Sequence, residues 1–204
     1  MKQHFSLIRI QVGSFLLSLL ILMSCSKDDP VKEDTPELIT EAVLVFTPTG
    51  GGTTVTVTAT DPDGEGVQDI EVDGPINLAT GVQYVLGIEL HNTLVNFGEP
   101  GYDITAEVEE EGDEHMFFFG WTGSVFQSPT GDGNIDNRAD DMNYVDLDAN
   151  NEPIGLITTW TTAAATASGT FRVLLKHQPG QKTASSGSSV GETDLDLTFT
   201  INVQ

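Results

Sequence analysis

Leu195-Asp196-Leu197-Thr198-Phe199-Thr200-Ile201-Asn202-Val203 alternates apolar and polar residues without a break. Successive side chains of an extended strand point to opposite faces, so Leu195, Leu197, Phe199, Ile201 and Val203 share one side. One buried face and one wet face mark an antiparallel sheet. The same period governs Thr54-Val55-Thr56-Val57-Thr58-Ala59-Thr60, with Val55, Val57 and Ala59 on one side. It recurs in Tyr84, Leu86, Ile88 and Leu90, and in Phe171, Val173 and Leu175 between Arg172 and Lys176. Ala42 to Thr47, Met142 to Leu147 and Ile154 to Thr162 are further strand candidates. Turn signals separate these stretches: Gly50-Gly51-Gly52, Asp61-Pro62-Asp63-Gly64, Asn150-Asn151-Glu152-Pro153 and the Ser/Gly-rich Ala184 to Gly191. The pattern predicts an all-β domain over residues 38–204, an antiparallel β-sandwich of immunoglobulin-like, Greek-key type. Its single Cys means that the Cys…Trp…Cys hallmark of true immunoglobulin domains is absent.

One segment breaks the alternation. Asp103 to His115 has helical spacing, with Asp103 as the expected N-cap. At helical pitch Ile104, Val108 and His115 fall within about 40° of one another, with Glu111 beside them. Gly112 weakens this helix by about 1 kcal/mol relative to Ala. Met116-Phe117-Phe118-Phe119 then returns to a strand or a buried connection.

The chain has 204 residues, 31 acidic and 8 basic, for a formal net charge of −23. Binding to a phosphate backbone rests on Lys and Arg displacing counterions, so nucleic acid is excluded as a partner. One Cys makes neither an internal disulfide nor a cysteine-rich zinc site.

That Cys has another use. Lys2, His4 and Arg9 form a basic start, and Phe15 to Met23 is an apolar run too short to span a bilayer, which takes about 20 residues. It fits a secretory signal peptide over residues 1–24. Leu22-Met23-Ser24-Cys25 resembles the bacterial lipobox, with Leu at −3, a small residue at −1, and then the Cys that becomes acylated by chains such as palmitate. Residues 25–37 read as a lipidated Cys25 followed by a disordered, acidic, proline-containing tether. Ser26 is not the Asp that retains many lipoproteins at the inner membrane, and Cys25-Ser26-Lys27-Asp28-Asp29 looks like the acidic signal that exports Bacteroidota lipoproteins to the cell surface. The expected address is the outer membrane, lipid-anchored, at the cell surface. Removal of Lys2 and Arg9 leaves six basic residues against 31 acids, a mature charge of −25.

Four stretches together resemble a family of Bacteroidota lipoproteins of uncharacterised function: Leu44 to Thr56, Asp103 to Phe119 (ending Asp113-Glu114-His115-Met116-Phe117-Phe118-Phe119), Asp148 to Trp160 and His177 to Phe199. Members often carry the label "type 1 periplasmic binding fold", a two-lobed α/β structure. The alternation here, with one helical stretch, predicts a sandwich instead. The resemblance implies association with a TonB-dependent outer-membrane receptor and capture of a nutrient or metal. It brings no catalytic residues with it.

Seven of the 13 residues from Asp103 to His115 are acids. Glu111 and His115 stand at i, i+4 and share a helical face, with Glu107 and Glu114 close by. An imidazole among carboxylates is a zinc or copper site if a second His, His91 or His177, joins it. The alternative is that His115 caps the helix C-terminus and Glu111 simply pairs with it, for about 0.3–1 kcal/mol. Asp146, Asp148, Asn150 and Glu152 place oxygens at every second position, as at the start of a calcium loop, though the central Gly and the Glu at position twelve are missing. An Asx-rich turn gives the same pattern. Trp121 and Trp160 either stack on sugars or, as is usual for a Trp in an alternating strand, fill the core.

Catalytic signatures are absent: no Gly-x-Ser-x-Gly elbow, His-Glu-x-x-His or phosphate loop occurs. The expectation is a non-enzymatic binding module for a metal ion or metal complex. The alternatives are a calcium-stabilised adhesion or glycan-binding module, and a structural accessory subunit of a transporter.

Overall fold

The deciding stretch lies in the last and longest strand, where Leu195, Leu197, Phe199, Ile201 and Val203 are buried and Asp196, Thr198 and Thr200 are exposed. The structure is a computed structural model that describes residues 37–64 and 70–204. The expected signal peptide, Cys25 and the tether as far as residue 36 lie outside the described residues.

The elements run β1 (Glu41–Pro48), β2 (Val55–Thr60), β3 (Glu71–Val72), β4 (Ile76–Leu78), β5 (Gln83–His91), α1 (Ile104–Glu110), β6 (His115–Trp121), β7 (Phe126–Ser128), β8 (Ile157–Thr162), β9 (Ala167–His177) and β10 (Glu192–Val203). They form a six-stranded sheet in the order β3-β2-β1-β5-β8-β7 and a four-stranded sheet in the order β4-β10-β9-β6. The expected all-β sandwich is the fold. Among the described residues the one departure from antiparallel pairing is β4 against β10, which run parallel from Ile76↔Ile201 to Leu78↔Val203. Parallel neighbours need a long crossover. Here that crossover is most of the domain, since Asn77 and Asn202, joined side chain to side chain at 3.0 Å, are 125 residues apart.

The inner faces meet in an aromatic layer. Phe171 of β9 packs edge-on against Phe46 of β1 and Trp160 of β8, with ring centroids 6.2 and 5.1 Å apart. Phe119 of β6 reaches Trp160 at 5.5 Å, so rings of one sheet interleave with those of the other. Both tryptophans are core residues, Trp160 fully buried and Trp121 nearly so. Edge-to-face pairs of this kind add about 0.5–1.5 kcal/mol beyond the area they bury.

Met116-Phe117-Phe118-Phe119 is buried on both faces. Phe117 and Phe119 join the main core, whereas Met116 and Phe118 pack with Leu174 on the outer face under Ile135 and Tyr144. The cover is the irregular chain between β7 and β8. Its Tyr144 hydroxyl donates to the Phe117 carbonyl at 2.7 Å and accepts from Asn134 Nδ2 at 2.8 Å. Burial pushes that phenol far above its ordinary pKa. Gly133 makes the close approach possible: at φ 108° an added Cβ would lie 2.0 Å from the Phe119 carbonyl oxygen.

Three expectations need correction. Met142 to Leu147 is not a strand; it makes isolated bridges at Tyr144↔Thr158 and Leu147↔Pro153, with Val145 and Leu147 exposed. The strand expected from Ile154 begins at Ile157. The Asp146 carboxylate takes the N–H groups of Gly155, Leu156 and Ile157, at 3.1, 2.8 and 3.1 Å. The helix is shorter than Asp103 to His115. Asp103 caps it, accepting from Ala106 N–H at 3.2 Å, and Ile104 and Val108 are its buried face, but it ends at Glu110. Beyond it Gly112 fits against Ile154, whose Cδ1 would sit 2.6 Å from an added Cβ. His115 is therefore the first residue of β6 and not the last turn of a helix.

Phe171 touches four other rings of the core. Phe171→Ala is expected to lower unfolding free energy by about 3–5 kcal/mol in urea titration, as truncation of a fully buried Phe does; a loss below about 1 kcal/mol would mean that the two sheets do not interleave there.

Candidate metal centre

β6 opens with His115 and β9 closes with His177, and the two residues are directly paired across the ladder. Alternation puts His115 on the side of Phe117 and Phe119, and His177 on the side of Phe171, Val173 and Leu175. Both imidazoles therefore turn inward, at the end of the sandwich where the core residues stop. Their rings stack face to face, with centroids 4.5 Å apart and planes 4° from parallel.

The helix supplies the third group. Glu111 follows α1, and the turn after it brings the chain back so that His115 N–H donates to the Glu111 carbonyl at 3.1 Å. The His115 ring does likewise: Nδ1 lies 3.2 Å from the same carbonyl oxygen. A carbonyl only accepts, so Nδ1 carries the proton and Nε2 presents its lone pair. One ligand atom each from Glu111, His115 and His177 lies within 4.8 Å of the others.

β10 adds a carboxylate that alternation alone misplaces. The β9–β10 register shifts between Thr193 and Leu195. This bulge turns Asp194 inward, where regular alternation would send it outward with Asp196. Its side chain is fully buried, and Oδ2 stands 3.6 Å from His115 Nε2. Neither Asp194 oxygen completes a hydrogen bond, and neither does His115 Nε2. Burial lowers the pKa of His115, and the neighbouring His177 lowers it further. Burial also pushes the Asp194 carboxyl up to about 7, against the opposing pull of His177.

The chain after β9 closes the site. Gln178 is fully buried; its N–H donates to the Glu114 carbonyl at 2.6 Å, and its side-chain amide donates to the Gly187 and Val190 carbonyls. Gly191, at φ 75°, lets this loop return against the end of β9, because a Cβ there would lie 2.0 Å from the His177 carbonyl oxygen.

Of the residues anticipated from sequence, His115, Glu111 and His177 come together, and Glu114 stands at the rim. Its Oε2 is 3.5 Å from His177 Nε2, and its side chain is 38% exposed. His91 lies elsewhere: at the end of β5 it pairs through Nδ1 with Glu41 at 2.9 Å and stacks on Tyr102. Helical i, i+4 spacing does not bring Glu111 to His115; a turn and a strand start do. Asp194 and Gln178 escaped sequence reasoning, and no residue near Asp194 signals the bulge.

The suspected calcium stretch is an Asx-rich turn whose oxygens are already engaged. Besides the bonds to Asp146, Asp148 accepts from the N–H groups of Asn150 and Glu152 at 2.8 and 2.9 Å. Lys182 Nζ lies 2.9 Å from Asp148 Oδ2, both side chains being 1% exposed, and also donates to the Gly112 carbonyl. Burial raises the Asp148 pKa, but Lys182 and the two N–H groups outweigh it and hold the carboxyl low. Glu152 faces Arg138 at 3.6 Å, and Asn150 is an exposed turn residue.

Compared with protein-family models, curated proteins and solved structures, the chain matches none.

Lys182→Met leaves the buried Asp148 without its facing cation and is expected to cost about 3–5 kcal/mol in urea unfolding; an effect within experimental error would mean that water already screens the pair. The raised Asp194 pKa means that the folded chain holds this proton more tightly than the unfolded chain. Its contribution is fully present below the ordinary carboxyl value of 3.8 and is lost as pH rises through about 7. The groups that set this balance are His115, His177, Glu37 and Lys176. Asp194→Asn is therefore expected to raise the melting temperature of chelator-treated protein more at pH 8 than at pH 5. An equal shift at both would show that Asp194 does not titrate abnormally.

Proposed function

We propose that this chain is a lipid-anchored outer-membrane protein, displayed at the cell surface, whose β-sandwich is a non-enzymatic binding module for a divalent metal ion or its complex. The observation that carries the reading is the convergence of Glu111, His115 and His177 within 4.8 Å at the end of the core. Neutral imidazole with carboxylate is the donor set of zinc and copper, and a lowered His115 pKa keeps that ring in the neutral form a metal requires. Two buried histidines side by side, with a carboxylate against them, have no packing purpose that Leu or Phe would not serve better.

The anchoring half of the reading rests on sequence. Apolar Phe15 to Met23, Leu22-Met23-Ser24-Cys25 and the acidic residues that follow support acylation at Cys25 and export. No helix among the described residues is long and apolar enough to cross a membrane. Acyl chains contribute about 0.8 kcal/mol per buried CH₂ and hold a protein of charge −25 on a membrane without basic residues. The resemblance to Bacteroidota lipoproteins supports a TonB-dependent receptor as the partner that takes the metal onward. Half-exposed Glu114 at the rim gives the ion a route in and out. Asp146 and Asp148 lend no support to a calcium-stabilised adhesion module, because backbone N–H groups and Lys182 hold their oxygens.

Calorimetric titration of the chelator-treated mature protein with Zn²⁺ tests the binding. His115→Ala and His177→Ala should each weaken affinity by more than the roughly 10–100-fold that loss of an outer-shell partner costs, and His91→Ala should leave it unchanged. Absence of binding by the wild type, or equal binding by His115→Ala, would overturn the proposal.

A further inference from the structure

The three converging groups leave a tetrahedral ion one donor short, and β10 holds a buried carboxylate beside them. We propose that Asp194, turned inward by the β-bulge, is the fourth ligand, so that His115, His177, Glu111 and Asp194 form a closed two-nitrogen, two-oxygen site for a zinc-class dication. This rests on the reading of the site given above and adds its completing residue and its selectivity.

Three observations carry it. The first is orientation. Because His115 Nδ1 donates to the Glu111 carbonyl, the atom facing Asp194 Oδ2 is the lone pair of Nε2. An ionised Asp194 and the Nε2 lone pair are two acceptors facing each other at 3.6 Å in a fully buried space, an arrangement that repels unless a proton or a metal ion lies between them. A ring nitrogen fixed by a carbonyl on its far side is also the usual arrangement of a metal-bound histidine.

The second is distance. Two ligand atoms about 2.0–2.1 Å from a tetrahedral ion stand roughly 3.3 Å apart. Asp194 stands at 3.6 Å from His115, a small contraction away. The donors that already converge within 4.8 Å are Glu111, His115 and His177, so a bound ion must draw the Asp194 carboxylate toward the other two.

The third is charge. Nearly every buried carboxylate has hydrogen-bond partners, yet neither Asp194 oxygen completes one with good geometry, and among the described residues the Glu37 backbone N–H is the one donor that approaches. A dication among two neutral imidazoles, Glu111 and Asp194 sums to zero, which removes most of the penalty of burying charge. Four donors, two of them nitrogen, suit zinc, cobalt or copper, whereas calcium takes six to eight oxygens and magnesium an octahedron of them.

Glu114 is the competing fourth donor, 3.5 Å from His177 Nε2. Its exposure places it at the entrance, outside the four-donor set.

The test uses Co²⁺ as an optical probe and Zn²⁺ competition on the full mature chain. Asp194→Asn is expected to weaken Zn²⁺ binding by about 100-fold or more, beyond a second-shell effect, and to change the visible Co²⁺ bands. Glu114→Gln should weaken binding by no more than the roughly 10–100-fold that loss of an outer-shell partner costs, and should leave the visible Co²⁺ bands unchanged. Asp194→Cys should add a sulfur-to-cobalt charge-transfer band in the near ultraviolet, which arises only if residue 194 touches the metal. That band keeps the inference testable should Asp194→Asn bind weakly through misfolding. Wild-type affinity in Asp194→Asn, or no charge-transfer band in a folded, cobalt-loaded Asp194→Cys, would overturn the role of Asp194 and leave the three-residue site standing. Failure of the wild type to bind either metal would instead remove the site itself.

Discussion

The antiparallel pairing of β6 with β9 is the interaction on which the rest depends, because β6 must bury both its faces at once. Phe117 and Phe119 fill the space between the sheets, while Met116 and Phe118 fill the space under the loop pinned by Tyr144. A strand apolar on both sides has no register in which one face can be wet, so slipping by one residue would exchange the two cores. The register that satisfies both places His115 opposite His177. The histidine pair is thus a consequence of how the aromatic residues pack, held at a point where neither ring can turn away.

Much of the fold was legible because alternation is local. β1, β2, β5, β9 and β10 each carry enough apolar residues at every second position to declare a face without help from the rest of the chain. What alternation could not show was set by contacts distant in sequence. β4 pairs in parallel with a strand that begins more than a hundred residues later. Met142 to Leu147 alternates yet serves as a cover, since Tyr144 plugs the outer cluster and leaves Val145 exposed. The Asp146 carboxylate delays β8 by holding three consecutive N–H groups that a ladder would otherwise use.

The site divides the same way. Glu111, His115 and His177 were legible as residue types near element ends, although the helix expected to join the first two stops short and a turn joins them instead. His91 looked equivalent to His177, since both end strands, but β5 lies in the other sheet and delivers His91 to Glu41. Asp194 was invisible because Asp194 and Asp196 share one parity, and only the bulge separates them. A bulge that re-aims one side chain at a cluster of buried donors is what a functional constraint on a strand looks like.

A chain of net −23 gathers cations loosely over its surface, but at one end of the sandwich His115 and His177 face the carboxylates of Glu111 and Asp194. X-ray absorption at the zinc edge on the loaded protein tests this most directly. Zinc held by His115, His177, Glu111 and Asp194 would show a four-coordinate shell of two imidazole nitrogens and two oxygens at about 2.0–2.1 Å. A six-coordinate shell of oxygens alone would contradict it, because that ion would be sitting on the acidic surface and not between His115 and His177.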